Sequence, residues 1–84
     1  MKNTSKNITI LFFGKLKETW KTSELKQTTQ VNTIEELYIE LLKHCDEEPH
    51  KASIKAAIND EFVSWDSSIN DNDTIAFLPP ASGG

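Results

Sequence analysis

The first apolar stretch, Ile8-Thr9-Ile10-Leu11-Phe12-Phe13, lies between a polar N-terminal segment and Gly14. Its β-branched and aromatic composition predicts a strand. Residues 15–20 predict a short connection with helical character. Residues 21–29 are rich in Thr and Ser, with Leu25 as their apolar anchor, and predict a polar strand hairpinned to the first. The strongest pattern follows. Thr33-Ile34-Glu35-Glu36 fits a capping box, with Thr33 as N-cap and Glu36 reaching back. Ile34, Leu37, Tyr38, Leu41, Leu42 and Cys45 then form the stripe of an amphipathic helix, with Glu35, Glu36, Glu40 and Lys43 on the other side. Pro49 disfavours helical geometry before it and is expected to end the helix.

Beyond a loop through His50 and Lys51, Ile54, Ala56 and Ile58 alternate with Lys55, Ala57 and Asn59. Asn59-Asp60-Glu61 carries turn chemistry, and Phe62-Val63-Ser64 resumes an extended segment. Asp71-Asn72-Asp73 predicts a second tight turn, because Asn and Asp tolerate the left-handed region. Thr74-Ile75-Ala76-Phe77-Leu78 predicts the last strand, and Pro79-Pro80 stops it, since proline donates nothing to a ladder. The order β-β-α-β-β-β predicts an α+β domain over residues 8–78, a mixed sheet with one main helix across a face. A polar extension (1–7) precedes it and a flexible tail (79–84) follows. The expected core joins Ile34, Leu37, Leu41 and Leu42 to Ile10, Phe12, Ile58, Ile75 and Phe77.

With 84 residues there is room for one small core, and 37% hydrophobic against 26% charged residues is a globular balance. No apolar run approaches the ~20 residues of a membrane span. The polar N-terminus lacks a secretory h-region, so the chain is expected in the cytoplasm. A single cysteine, Cys45, excludes an intramolecular disulfide and agrees with a reducing compartment. The net charge is -4 and arginine is absent, which argues against nucleic acid as a partner. Acids concentrate after residue 31, either as a solvated surface or as a field steering basic partner proteins.

Catalytic sets are scarce. His44, Cys45 and His50 do not supply the closely spaced ligands of a structural zinc site, and Cys45 on the apolar stripe reads as a structural thiol. Asp46-Glu47-Glu48 and Asp71-Asn72-Asp73 read as loops rather than calcium sites, the latter lacking the spacing to a final glutamate. No glycine-rich phosphate loop exists, so neither a metal nor a bound cofactor is expected. What remains is Pro79-Pro80-Ala81-Ser82-Gly83-Gly84. Two prolines stiffen the exit, six extended residues reach roughly 20 Å, and the terminal glycines can thread a channel too narrow for a side chain. The α-carboxylate of Gly84 is anionic and a poor electrophile until ATP converts it to an acyl-adenylate. Strand alternation also places Leu11, Phe13 and Leu78 on the sheet face away from the helix, where Phe62 could join them as a docking patch beside the tail.

These residues carry a resemblance. Ile10-Leu11-Phe12-Phe13-Gly14-Lys15-Leu16-Lys17-Glu18, Thr33-Ile34-Glu35-Glu36-Leu37, Ala57-Ile58-Asn59-Asp60-Glu61-Phe62-Val63 and the ending from Asp71 through Phe77-Leu78-Pro79-Pro80 to Gly83-Gly84 resemble the MoaD-type sulfur-carrier family. These are small subunits of molybdopterin synthase with a ubiquitin-like β-grasp fold. The resemblance implies that a MoeB-type enzyme adenylates Gly84 with ATP and that the terminus becomes a thiocarboxylate. It would then donate sulfur to cyclic pyranopterin monophosphate inside a MoaE-type large subunit. It further implies that Gly83 passes the channel, and that Phe13, Phe62 and Leu78, with Pro79, Pro80, Ala81 and Ser82 of the tail, contact the partners. Asn72 stands where the family usually has glycine, and residues 1–7 are an addition. A thiamine-pathway sulfur carrier and a ubiquitin-like protein modifier share the Gly-Gly ending and are the alternatives.

Overall fold

Alternate burial of Ile8, Ile10 and Phe12 makes β1 (Lys6–Phe12), which starts two residues ahead of the expected strand. Lys6 opposes Thr29, and its Nζ donates to the Val31 carbonyl at 3.0 Å and to Asn32 Oδ1 at 3.3 Å. The structure, a computed structural model, describes residues 5–45 and 53–79. After the turn at Gly14, α1 (Leu16–Trp20) buries Leu16 and Trp20 and ends at Lys21, whose φ is 60°. The polar β2 (Glu24–Thr29) then pairs antiparallel with β1, as its sequence suggested.

α2 (Ile34–Leu42) buries Ile34, Leu37, Tyr38 and Leu41. The capping box is present with one change. Thr33 Oγ1 accepts from the Glu36 N–H at 3.2 Å, while Glu36 Oε1 accepts from the N–H of Asn32, one residue before the cap, at 2.8 Å. A bridge holds Thr33 to Ser68, and the carbonyls of Ser67 and Trp65 accept from Ile34 and Glu35. Two of the first-turn donors that every helix leaves open are thus met by the 64–70 segment, and a third by Thr33 itself. Thr33→Ala should therefore cost about 1 kcal/mol, the ordinary value of a lost N-cap, in urea unfolding.

The helix stops at Leu42, short of Cys45 on its expected stripe. Lys43, His44 and Cys45 donate three residues back, to Glu40, Leu41 and Leu42, which tightens the turn and ends the α-helical pattern. The Leu41 carbonyl also accepts from Trp20 Nε1 at 2.8 Å, joining α1 to α2. Pro49, the expected stop, and the loop through His50 and Lys51 lie outside the described residues.

β3 (Lys55–Ile58) and β4 (Glu61–Val63) form a hairpin through Asn59 and Asp60, at φ 51° and 73°. Two consecutive left-handed residues match the twist of the flanking strands, hence Asn-Asp here. Asn59 Nδ2 donates to the buried Asp73 at 3.0 Å, and Asn59 Oδ1 accepts from the Thr74 N–H at 2.9 Å. This ties the hairpin to the second turn, where Asn72 takes φ 72°. β5 (Thr74–Leu78) enters the sheet from that turn.

The strand order is β2-β1-β5-β3-β4, with β1 and β5 parallel and the other pairs antiparallel. A mixed five-stranded sheet with α2 across one face is the β-grasp arrangement. The core contains the expected Ile10, Phe12, Ile34, Leu37, Leu41, Ile75 and Phe77, while Leu42 and Ile58 are only half-buried at its margin. Phe12, Trp20, Tyr38, Trp65 and Phe77 form a continuous aromatic cluster between helix and sheet, with neighbouring ring centroids 4.8–6.4 Å apart. Among the described residues, no helix is long and apolar enough to cross a membrane.

Candidate functional site

Side chains alternate along a strand, so burial of Ile10, Phe12, Ile75 and Phe77 on the α2 side turns their neighbours outward. Registry then aligns Leu11 of β1, Ala76 of β5, Ala57 of β3 and Phe62 of β4 in one row across the outer face. Phe13 continues the alternation just past β1, its N–H donating to the Phe77 carbonyl at 3.2 Å. In the adjoining row, Leu78 lies opposite Lys55. The two alanines make a shallow apolar floor with bulky side chains on either side.

Phe62 is 67% exposed and Phe13 44%. The chain has seven aromatic residues, and the five others form the core cluster. Leu78, expected on this face as part of the exposed docking patch, is instead half-buried. Its strand is central, with β1 on one side and β3 on the other, so neighbours cover what an edge position would leave open. The opposite end of the same face is polar, where Asn7, Thr9, Lys26 and Thr28 help line a 390 Å³ groove. Lys55 apart, the sheet face is thus apolar near the end of β5 and polar away from it.

The described chain leaves the sheet at Pro79, which is half-buried beside Gly14. Pro80, Ala81, Ser82, Gly83 and Gly84, the expected tail, lie outside the described residues, as do Asp46, Glu47, Glu48 and His50. His44 is exposed, and Cys45 is half-buried with its Sγ donating to the Leu42 carbonyl at 3.5 Å. Among the described residues, no three His, Cys, Asp or Glu side chains gather as a metal site. The geometry suits association through an apolar sheet face beside the chain's exit. Ala57 and Ala76, its floor, have no signal of their own in the sequence; only registry marks them.

The ThiS family model matches residues 10–84. The molybdopterin synthase sulfur carrier subunit of Escherichia coli (strain K12) is 30% identical over 80 residues, covering 92% of this chain and 99% of that protein. Among solved structures, small archaeal modifier protein 1 from Methanosarcina acetivorans superposes with a TM-score of 0.77 at 22% identity. That match covers 98% of this chain and 100% of that one. Urm1 from Trypanosoma brucei gives a TM-score of 0.70 at 20% identity, covering 99% of this chain and 100% of that one. At such identities the two structures speak for the ubiquitin-like β-grasp fold.

Proposed function

Because this chain belongs to the ThiS family, as a MoaD-like member of these ubiquitin-like carriers, we propose that it is the sulfur-carrier subunit of molybdopterin synthase. The observation that carries this reading is that the family match runs through Gly84, the residue the chemistry requires. In the first step a Gly84 carboxylate oxygen attacks the α-phosphate of ATP on a MoeB-type enzyme, and pyrophosphate leaves. Hydrosulfide, or a donor persulfide whose S–S bond a second thiol then cleaves, attacks the acyl-adenylate and expels AMP, so the terminus becomes a thiocarboxylate. Within a MoaE-type large subunit this sulfur passes to cyclic pyranopterin monophosphate, and two such transfers form the dithiolene. The carrier supplies a reactive terminus and a surface to deliver it; ATP is bound by the activating enzyme.

Phe13, Phe62 and Leu78, on the floor of Ala57 and Ala76, are the proposed docking surface, with Pro79, Pro80, Ala81 and Ser82 leading Gly83 and Gly84 into the partner. Phe62→Asp should leave the fold intact, changing stability by no more than about 1 kcal/mol at this edge-strand position. Large-subunit affinity should nonetheless fall by an amount typical of a central aromatic contact, at least about 2 kcal/mol or roughly thirtyfold. Calorimetric titration and urea unfolding of the same variant separate the two effects. An unfolded variant would assign Phe62 to the core instead.

The direct test incubates the chain with ATP, a MoeB-type enzyme and a sulfur donor, then measures intact mass. The expected change is one oxygen replaced by sulfur at the terminus, followed by molybdopterin formation once the large subunit and pyranopterin are added. Isopeptide adducts on other proteins would favour a modifier. A thiocarboxylate consumed only in thiazole synthesis would favour a thiamine-pathway carrier.

A further inference from the structure

Lys55 opens β3 on the outer sheet face, directly opposite Leu78, and is exposed. Ala57, the next residue of β3 on that face, is paired with Phe62, which places Phe62 diagonal to Lys55. Side chains directly opposite across strands stand about 4.5–5.5 Å apart, and diagonal ones about 7–8 Å. A partner that covers both Phe62 and Leu78 therefore passes over Lys55 as well. The same lysine lines a 560 Å³ groove at the β3–β4 edge with Ile54, Ala56, Phe62, Val63 and Trp65, and is the one charged group among these described residues. Lys26, on the same face of β2, approaches Glu24 at 3.8 Å, whereas among the described residues no carboxylate pairs with Lys55.

While the face is bare, water serves the Lys55 ammonium. A docked partner removes that water, and an ammonium buried without a counter-charge costs more than the apolar contact around it returns. We propose that the large synthase subunit answers Lys55 with an aspartate or glutamate, and that this ion pair, set inside the apolar patch, selects the partner. The inference rests on the carrier reading above and names the chemistry of its partner surface: an apolar side chain for the groove beside Phe62, next to a carboxylate for Lys55. The lysine stem can lie along the apolar residues while its tip meets the carboxylate. A partner with a cation or only apolar groups at that point would repel Lys55 or leave it unanswered, a discrimination the phenylalanines cannot make. The net charge of -4 draws basic partners at long range, so Lys55 acts as a local check on register once contact is made.

The test titrates the large subunit calorimetrically with the wild-type chain, Lys55→Met, Lys55→Glu and, as a control on the same face, Lys26→Met, with thermal midpoints confirming folding. Lys55→Met keeps an apolar stem but strands the partner's carboxylate, so affinity should fall about thirtyfold or more. Lys55→Glu should fall further through like-charge repulsion, and Lys26→Met should stay within about twofold of wild type. Carbodiimide coupling of the wild-type complex, which needs no variant to fold, should form an amide between Lys55 and an Asp or Glu of the large subunit. Replacing that acid by lysine should restore binding to Lys55→Glu. Wild-type affinity in Lys55→Met overturns the proposal, as does an equal loss in Lys26→Met or a complex in which Lys55 couples to no carboxylate. A wild-type chain that gains its thiocarboxylate and binds the large subunit keeps the carrier reading even when these variants refute the ion pair. A wild-type chain that does not bind the large subunit overturns both.

Discussion

Deleting Gly84 is expected to abolish activation while leaving the unfolding midpoint where it was. Among the described residues the buried cluster ends with Phe77 on β5, and a glycine has no side chain to contribute to a core. The chemistry has no such tolerance. A chain ending at Gly83 presents its carboxylate about 3.5 Å short of the adenylating centre, and a misplacement of even ~1 Å can cost a hundredfold in rate. One residue appended after Gly84 should be as damaging, because the glycine carbonyl then lies in a peptide bond and offers no free carboxylate. Gly83→Val probes a separate step, keeping the carboxylate but placing a branched side chain where the channel must pass. ATP–pyrophosphate exchange, molybdopterin formation from preformed thiocarboxylate, and urea unfolding measure the three quantities. Exchange that survives loss of Gly84 would sink the carrier function and leave a non-covalent docking role.

Phe77→Ala should have the largest effect on stability. The Phe77 ring is fully buried and lies 5.7 Å from Tyr38, 6.0 Å from Trp65 and 6.4 Å from Phe12, so it connects helix, loop and sheet. Truncation removes its transfer energy and leaves a cavity, together about 3–5 kcal/mol. Small domains have only about 5–15 kcal/mol in total, so the variant should be partly unfolded or close to it. A fall in the urea midpoint with an unchanged slope is the expected signature. A loss below about 1 kcal/mol would mean that the helix packs on a different face of the sheet.

What was legible in the sequence was what local chemistry encodes. Thr33 and Glu36 marked the helix start, Asn59-Asp60 and Asn72 marked left-handed turns, and the parity of β1 and β5 separated Ile10 and Phe77 from Leu11 and Phe13. Features that depend on distant neighbours were not. Trp20 and Trp65 stand among polar residues, and their packing depends on where α1 and the 64–70 segment come to rest against α2. The helix was expected to continue past Leu42 because Cys45 keeps its period, which cannot reveal a tightened last turn. Leu78 was placed on the correct face, but its half-burial follows from the central position of β5. Gly14 read only as the end of a strand, since the Pro79 ring beside it belongs to the far end of the chain.

The position of β5 also sets an order of events during folding. It is the last of the described strands to be synthesised, yet it lies between β1 and β3. Its pairing joins Thr9 to Thr74 and Phe12 to Phe77, contacts distant in sequence whose closure is intrinsically slow. Until then β1 and β3 each have an open edge, and that of β1 belongs to the most apolar stretch of the chain, a template for intermolecular pairing. A product of interrupted synthesis that stops before Thr74 would keep both edges open and aggregate. Residues 79–84 follow directly on the strand that closes this gap, so a chain able to offer its terminus to a partner has already supplied the piece that completes its sheet.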